Sequence, residues 1–273
     1  MIGVFDSGVG GLSVWQELVK LLPCEEYVYV SDSGYCPYGP KPKEYIVERA
    51  KRITEFLIDK GADIVVVACN TATAAAIEVL RSSFDIPFVG MEPAVKPAAL
   101  QSESGVIGVL ATKGTLKGEL YLKTLHKFAS NTKVIEQVGT GLVELVEQGK
   151  TETDEAITHL RQYISPMIES GADHIVLGCT HYPFLTNSIR SIAGETVKIV
   201  NPAPAIARQA MHLLSEVKNS YVDKIPGWSF YTTGDNLDIL KIMVENITDE
   251  MVKSGVILSK STILERQFCT VDI

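Results

Sequence analysis

Residues 61–70 read Gly-Ala-Asp-Ile-Val-Val-Val-Ala-Cys-Asn, and residues 171–180 read Gly-Ala-Asp-His-Ile-Val-Leu-Gly-Cys-Thr. Cys69 and Cys179 hold the same place in the two phrases. The runs that precede them, residues 64–67 and 175–177, are short, apolar and uninterrupted, the pattern of strands buried on both faces of a parallel sheet. A side chain just past the carboxyl end of such a strand lies where open α/β sheets bind ligands. Two copies facing each other would put one thiol on each side of a shared cleft. That arrangement suits taking a proton from one face of a carbon and returning one to the other.

The similarity extends outward. Ile2-Gly3-Val4-Phe5-Asp6 matches Ile107-Gly108-Val109-Leu110-Ala111, and Glu92-Pro93-Ala94 matches Asn201-Pro202-Ala203. Landmarks repeated at nearly one spacing imply two related α/β units. Strands are expected near 2–5, 27–31, 64–68, 87–90, 106–110, 133–137, 174–178, 197–200 and 229–233. Helices are expected near 11–21, 43–60, 72–83, 93–100, 115–128, 140–148, 153–170, 183–192, 203–216 and 236–253. Such alternation specifies parallel sheets covered by helices, and Pro37-Tyr38-Gly39-Pro40 interrupts it as a loop. The fold class is therefore α/β, with two pseudo-symmetric lobes, each a mostly parallel sheet flanked by helices, and the site in the cleft between them. Residues 257–273 carry too weak a pattern to assign.

Composition narrows the function. Hydrophobic residues make up 46% of the 273 and charged residues 21%, enough apolar material for a substantial core. The net charge of −8 argues against a broad nucleic-acid or anionic-membrane surface. Apolar stretches are too short to span a bilayer, and the first residues lack the basic and apolar segments of a secretory signal. With five cysteines, this pattern suits reduced thiols in the cytoplasm.

Several residues near the repeated phrases could carry chemistry. Asn70 and Thr71 follow Cys69 at the start of an Ala-rich helix, and Thr180 and Pro183 follow Cys179. A cysteine at a helix N-terminus feels the positive end of the macrodipole, which favours its thiolate. His181, two residues past Cys179, could tune that thiol or relay its proton. Asp6 ends the first strand and opens the glycine-rich Ser7-Gly8-Val9-Gly10-Gly11, where backbone and helix N-terminus can approach a ligand closely. Glu147, before Gly149, reads from its own surroundings as a solvated helix position. Cys24, Cys36 and Cys269 lie in no matched motif, and their replacement should leave the chemistry intact.

Two rivals use the same residues. Gly8-x-Gly10-x-x-Ser13 lies near a dinucleotide fingerprint, with Asp32 about where a ribose-binding acid would sit. Asp6, Cys69, Cys179 and His181 have the ligand types of a zinc-dependent hydrolase, although Cys-x-His leaves little room for the usual spacing. The first leaves both cysteine phrases unexplained.

Taken in order, Asp6-Ser7-Gly8-Val9-Gly10-Gly11, Pro37-Tyr38-Gly39, Ala68-Cys69-Asn70-Thr71-Ala72, Glu92-Pro93-Ala94 and Gly178-Cys179-Thr180-His181-Tyr182-Pro183 resemble the cofactor-independent aspartate/glutamate racemase family. The Asp-Ser-Gly and Tyr-Gly motifs favour its glutamate branch. The resemblance implies interconversion of L- and D-glutamate without cofactor or metal, supplying D-glutamate for peptidoglycan, in a homodimer. It makes Cys69 the acid/base on the D-enantiomer and Cys179 that on the L-enantiomer. Asp6 would assist Cys69, His181 would assist Cys179, and Glu147 would support the histidine. Substrate contacts are implied for Asp6, Ser7, Tyr38, Gly39, Cys69, Asn70, Thr71, Thr112, Thr115, Cys179, Thr180 and His181. Residues 1–96 with 206–273 would form one lobe and residues 97–205 the other. The chain starts directly at its first strand, which puts in doubt any activator site built on an N-terminal extension. No arginine or lysine lies in the motif loops, so neutral donors and dipoles would hold the substrate carboxylates.

Overall fold

A computed structural model describes residues 1–217, 227–257 and 265–273. The first series of elements is β1 (Ile2–Asp6), α1 (Leu12–Leu21), β2 (Tyr27–Ser31), α2 (Lys43–Asp59), β3 (Ile64–Val67), α3 (Asn70–Ser83), β4 (Phe88–Gly90) and α4 (Val95–Gln101). The second is β5 (Val106–Ala111), α5 (Lys113–Leu116), α6 (Glu119–Phe128), β6 (Lys133–Val138), α7 (Leu142–Glu147), α8 (Asp154–Glu169), β7 (His174–Gly178), α9 (Thr186–Ala193) and β8 (Lys198–Val200). After these come α10 (Ala203–Val217), β9 (Gly227–Thr232), α11 (Leu237–Lys253) and β10 (Glu265–Thr270). No helix among the described residues is long and apolar enough to cross a membrane.

Two sheets result, with strand orders β10-β9-β2-β1-β3-β4 and β6-β5-β7-β8. Every pairing between the described strands is parallel. The four strands β2-β1-β3-β4 repeat as β6-β5-β7-β8, and the repetition reaches the register. Ile2 pairs with Ile64 as Ile107 pairs with His174, and Val65 pairs with Phe88 as Ile175 pairs with Ile199. The repeated phrases are thus the same strand of two copies of one unit. In each copy the chain leaves the first strand on one side and returns on the other, so a crevice opens at the carboxyl ends of β1 and β3, and of β5 and β7.

The apolar runs are buried throughout: every residue of β1, β3 and β7 is inaccessible or nearly so. α10 packs against α1 and along β3 and β4, so the chain returns to the first sheet through this helix. Trp15 of α1 meets Trp228 and Phe230 of β9 edge-on, at ring separations of 5.1 and 5.2 Å. These contacts seal the added strands to the first unit.

Three regions differ from expectation. The helix expected over 115–128 breaks between α5 and α6. Gly118 is extended there, and a Cβ on it would stand 2.8 Å from Ala74 of α3, so the chain needs glycine to pass. The helix expected over 183–192 begins as a 3-10 turn, Tyr182–Leu185, with Pro183 in its first turn, before α9. In the unassigned tail, β10 lies parallel to β9 at the sheet edge, and residues 258–264 lie outside the described residues.

Candidate active site

Asp6 ends β1, and its carboxylate accepts the Gly11 backbone N–H at 2.9 Å and the Thr180 hydroxyl at 3.3 Å. Cys69 follows β3 and caps α3: its sulfur accepts the Ala72 N–H at 3.4 Å and donates toward the Ser7 hydroxyl at 3.7 Å. Asn70 is buried beside it, and neither its amide nitrogen nor its oxygen has a protein partner.

The second unit brings the complementary set. Cys179 follows β7, with its sulfur 3.7 Å from His181 Nδ1. The other ring nitrogen, Nε2, faces Glu147 Oε1 at 2.7 Å. That carboxylate is not a solvated helix end. It accepts the Val9 N–H at 2.7 Å through Oε1 and the Asn236 amide at 2.9 Å through Oε2, so it ties α7 to the glycine loop and to the start of α11. With Nε2 engaged by a carboxylate, Nδ1 is the atom left to exchange a proton with Cys179. His181 Nδ1 also lies 3.9 Å from Asp6, so the two halves of the site meet at the histidine.

The units touch at two further points. Ser13 donates to the Thr180 carbonyl at 2.9 Å. Thr71, Thr112 and Thr115 form a chain of hydroxyls at 2.8 and 2.9 Å across the opposite side. Gly39 borders this chain: a Cβ there would stand 3.4 Å from Thr112. Tyr38 is fixed from behind through its hydroxyl, which donates to Asp32.

Electrostatics separate the two thiols. Burial pushes Cys69 well above the ordinary thiol value, and the adjacent Asp6 adds to this. The Ala72 N–H works the other way and loses, so the helix terminus does not make Cys69 a resting thiolate. Asp6 is itself raised by burial, against the lowering influence of His181 and Cys69. Burial opposes charge on His181, yet hydrogen bonds to Cys179, Cys36 and Glu147 outweigh it and hold the imidazole well above the usual histidine value. Cys179 is followed by a 3-10 turn in place of an α-helix. The neighbour of Cys179 is an imidazole whose hold on its proton is strengthened, where that of Cys69 is a carboxyl group.

The Asp/Glu/hydantoin racemase family model matches residues 2–210. The chain belongs to the Asp/Glu/hydantoin racemase family. Among its relatives, the glutamate racemase of Herpetosiphon aurantiacus is 46% identical over 214 residues, covering 78% of this chain and 84% of that one. That of Methylococcus capsulatus is 51% identical over 207 residues, covering 76% of each. Among solved structures, a glutamate racemase isoform of Bacillus anthracis superposes with a TM-score of 0.81 at 30% identity, covering 100% of this chain and 97% of that one. The Escherichia coli glutamate racemase, solved with L-glutamate and an activator, gives 0.81 at 33% identity, covering 90% and 94%.

Within this racemase family fold, the nucleotide-binding rival fails on geometry. A Cβ on Gly8 would lie 1.9 Å from Glu147 Oε1, and one on Gly10 would lie 2.2 Å from His181 Nδ1. The glycines make room for those side chains. Asp32 is equally committed: Arg49 grips it through Nη2 at 2.6 Å and Nε at 3.0 Å, and Thr233 donates to it at 2.8 Å. Sequence reasoning missed Asn236 and Cys36. Cys36, half-buried in the loop after β2, is pushed up to about 11 by burial and stands beside His181. It belongs to only one of the two copies, so the repeat gave no sign of it.

Proposed function

We propose that the chain interconverts L-glutamate and D-glutamate by two-base proton transfer at the α-carbon. The observation that carries this reading is the pair of cysteines at equivalent strand ends of two register-matched units, each with its own proton partner. The α-carbon would lie between the sulfurs. Acting on L-glutamate, the Cys179 sulfur takes the α-hydrogen: the Cα–H bond breaks and an S–H bond forms. The Cys69 thiol delivers a proton to the opposite face, and its S–H bond breaks as the new Cα–H bond forms. The reverse sequence returns L-glutamate. His181, oriented by Glu147, resets Cys179, and Asp6 resets Cys69.

A carbanion with no electron sink needs donors placed in advance, which is often the largest part of catalysis. The unpartnered Asn70 amide supports a role in holding the substrate's polar groups. Ser7, Tyr38, Gly39, Thr71, Thr112, Thr115 and Thr180 complete the contacts we assign. We place the lobe boundaries at residues 1–96 with 206–273, and at 97–205. We further assign a homodimer in the cytoplasm that supplies D-glutamate for peptidoglycan.

Purified protein, dialysed against chelator, should racemise glutamate undiminished and prefer it clearly over aspartate, as followed by polarimetry. A requirement for nicotinamide nucleotide, pyridoxal phosphate or zinc would contradict the mechanism. A preference for aspartate would contradict the substrate.

A further inference from the structure

We propose that Cys36, Glu147 and His181 form a binding site for a borderline-soft divalent cation, Zn²⁺ above all, and that the bound ion inhibits the racemase. One ligand atom from each residue, a thiol sulfur, a carboxylate oxygen and a ring nitrogen, lies within 4.8 Å of the other two. Among the described residues this is the group of three or more such side chains gathered closely enough to hold an ion. It is not the set of Asp6, Cys69, Cys179 and His181 that the sequence offers.

The donors fit the ion. Zinc takes thiolate, imidazole and carboxylate at roughly 2.0–2.3 Å in a tetrahedral shell. His181 Nε2 and Glu147 Oε1 already face each other at 2.7 Å, so small side-chain rotations would bring all three onto one centre. A route in exists as well. An open cavity of about 640 Å³ is lined by Cys36, Glu147, Gly234 and Asn236, so two of the three ligands face it. The ligands come from three separate parts of the chain: the loop after β2, the end of α7 and the turn after β7. Fixing them together would also fix the two units.

Binding displaces protons without redox change. Metal–sulfur and metal–nitrogen bonds replace the S–H bond of Cys36 and the Nε2–H bond of His181, and both protons go to solvent. The ion thus occupies the nitrogen that donates to Glu147 and removes the carboxylate that orients the ring. The ring then holds its remaining proton on Nδ1 and has no free lone pair to take up the proton of Cys179, although neither catalytic sulfur is touched. The inhibition rests on the racemase reading; the binding does not.

Metal-free protein should be titrated with Zn²⁺ during glutamate racemisation and, separately, with Co²⁺ followed by absorbance. Wild type should lose activity at one equivalent per chain, reversibly with chelator, and should show a thiolate-to-cobalt charge-transfer band. Cys36→Ala and Cys36→Ser should lose the band and, measured against each variant's own metal-free rate, need roughly 10–100-fold more Zn²⁺ for inhibition. Absence of the band in wild type, or undiminished inhibition and an unchanged band in both variants, would overturn the site. If wild type does not turn over glutamate, the racemase reading fails, and the cobalt band alone still decides the site.

Discussion

At the residue scale, the site is two sulfurs with unlike partners. Cys69→Ala and Cys179→Ala remove one proton carrier each, and loss of such a group costs roughly 10²–10⁴-fold in rate. Both variants should lose at least that much while keeping wild-type circular dichroism, since a buried sulfur is exchanged for a small apolar group. Near-wild-type turnover by a folded Cys179→Ala protein would leave one-base catalysis. Glu147→Gln probes the partner. It keeps a hydrogen-bonding oxygen for His181 but removes the charge, and a hydrogen bond to a charged group is worth about 1.5–3 kcal/mol. Turnover should fall roughly 10- to 100-fold. Because Glu147 helps to hold His181 above its ordinary value, losing its charge lowers that pKa. The alkaline limb of the rate profile should therefore move to lower pH. An unmoved limb would remove Glu147 from the proton relay.

At the element scale, the glycine loop after β1 is shaped by the side chains it admits. Gly10→Ala would drive a methyl group into His181, with the ideal Cβ 2.2 Å from Nδ1. Displacement of about 1 Å at a reacting centre costs on the order of 10²-fold, so kcat should drop by at least that. Gly227→Ala, at the start of β9 with nothing within 4 Å of the added Cβ, serves as the control and should match wild type. Equal activity in the two variants would contradict the packing described. The sequence made the repeated parts of this architecture legible: β1, β3, β5 and β7, the two cysteines, and the helices between them. Period and apolar runs report burial on both faces, and burial is what defines these strands. Of the features present in one copy, the sequence placed β9 and α11 but missed others. Glu147 looked solvated because its partners, Val9 and Asn236, lie far away in sequence. Cys36 and the β10 edge strand have no counterpart in the second unit. The break at Gly118 depends on Ala74, a contact that no local pattern encodes.

At the scale of the whole molecule, the first sheet is locked by a buried ion pair. Arg49 of α2 grips Asp32, stacks on Tyr35 at 3.8 Å and donates to the carbonyl of Ile273. It thereby joins the loop after β2 to Ile273. Arg49→Met leaves the Asp32 carboxylate buried without its cation, a change that costs about 3–5 kcal/mol. Chemical denaturation should show a loss of that order. A change below about 1 kcal/mol, typical of exposed pairs, would mean the pair is not part of the framework.

The central claim concerns both sheets at once: one substrate carbon sits between two thiols, and each face exchanges a proton. L-glutamate incubated with the protein in deuterium oxide, without added cofactor, and then separated by chirality and weighed by mass spectrometry tests this directly. The account predicts that newly formed D-glutamate carries one solvent deuterium at the α-carbon, and that Cys69→Ala and Cys179→Ala each abolish its formation. D-glutamate that keeps its original α-hydrogen, or no D-glutamate at all from a folded wild-type protein, would contradict it.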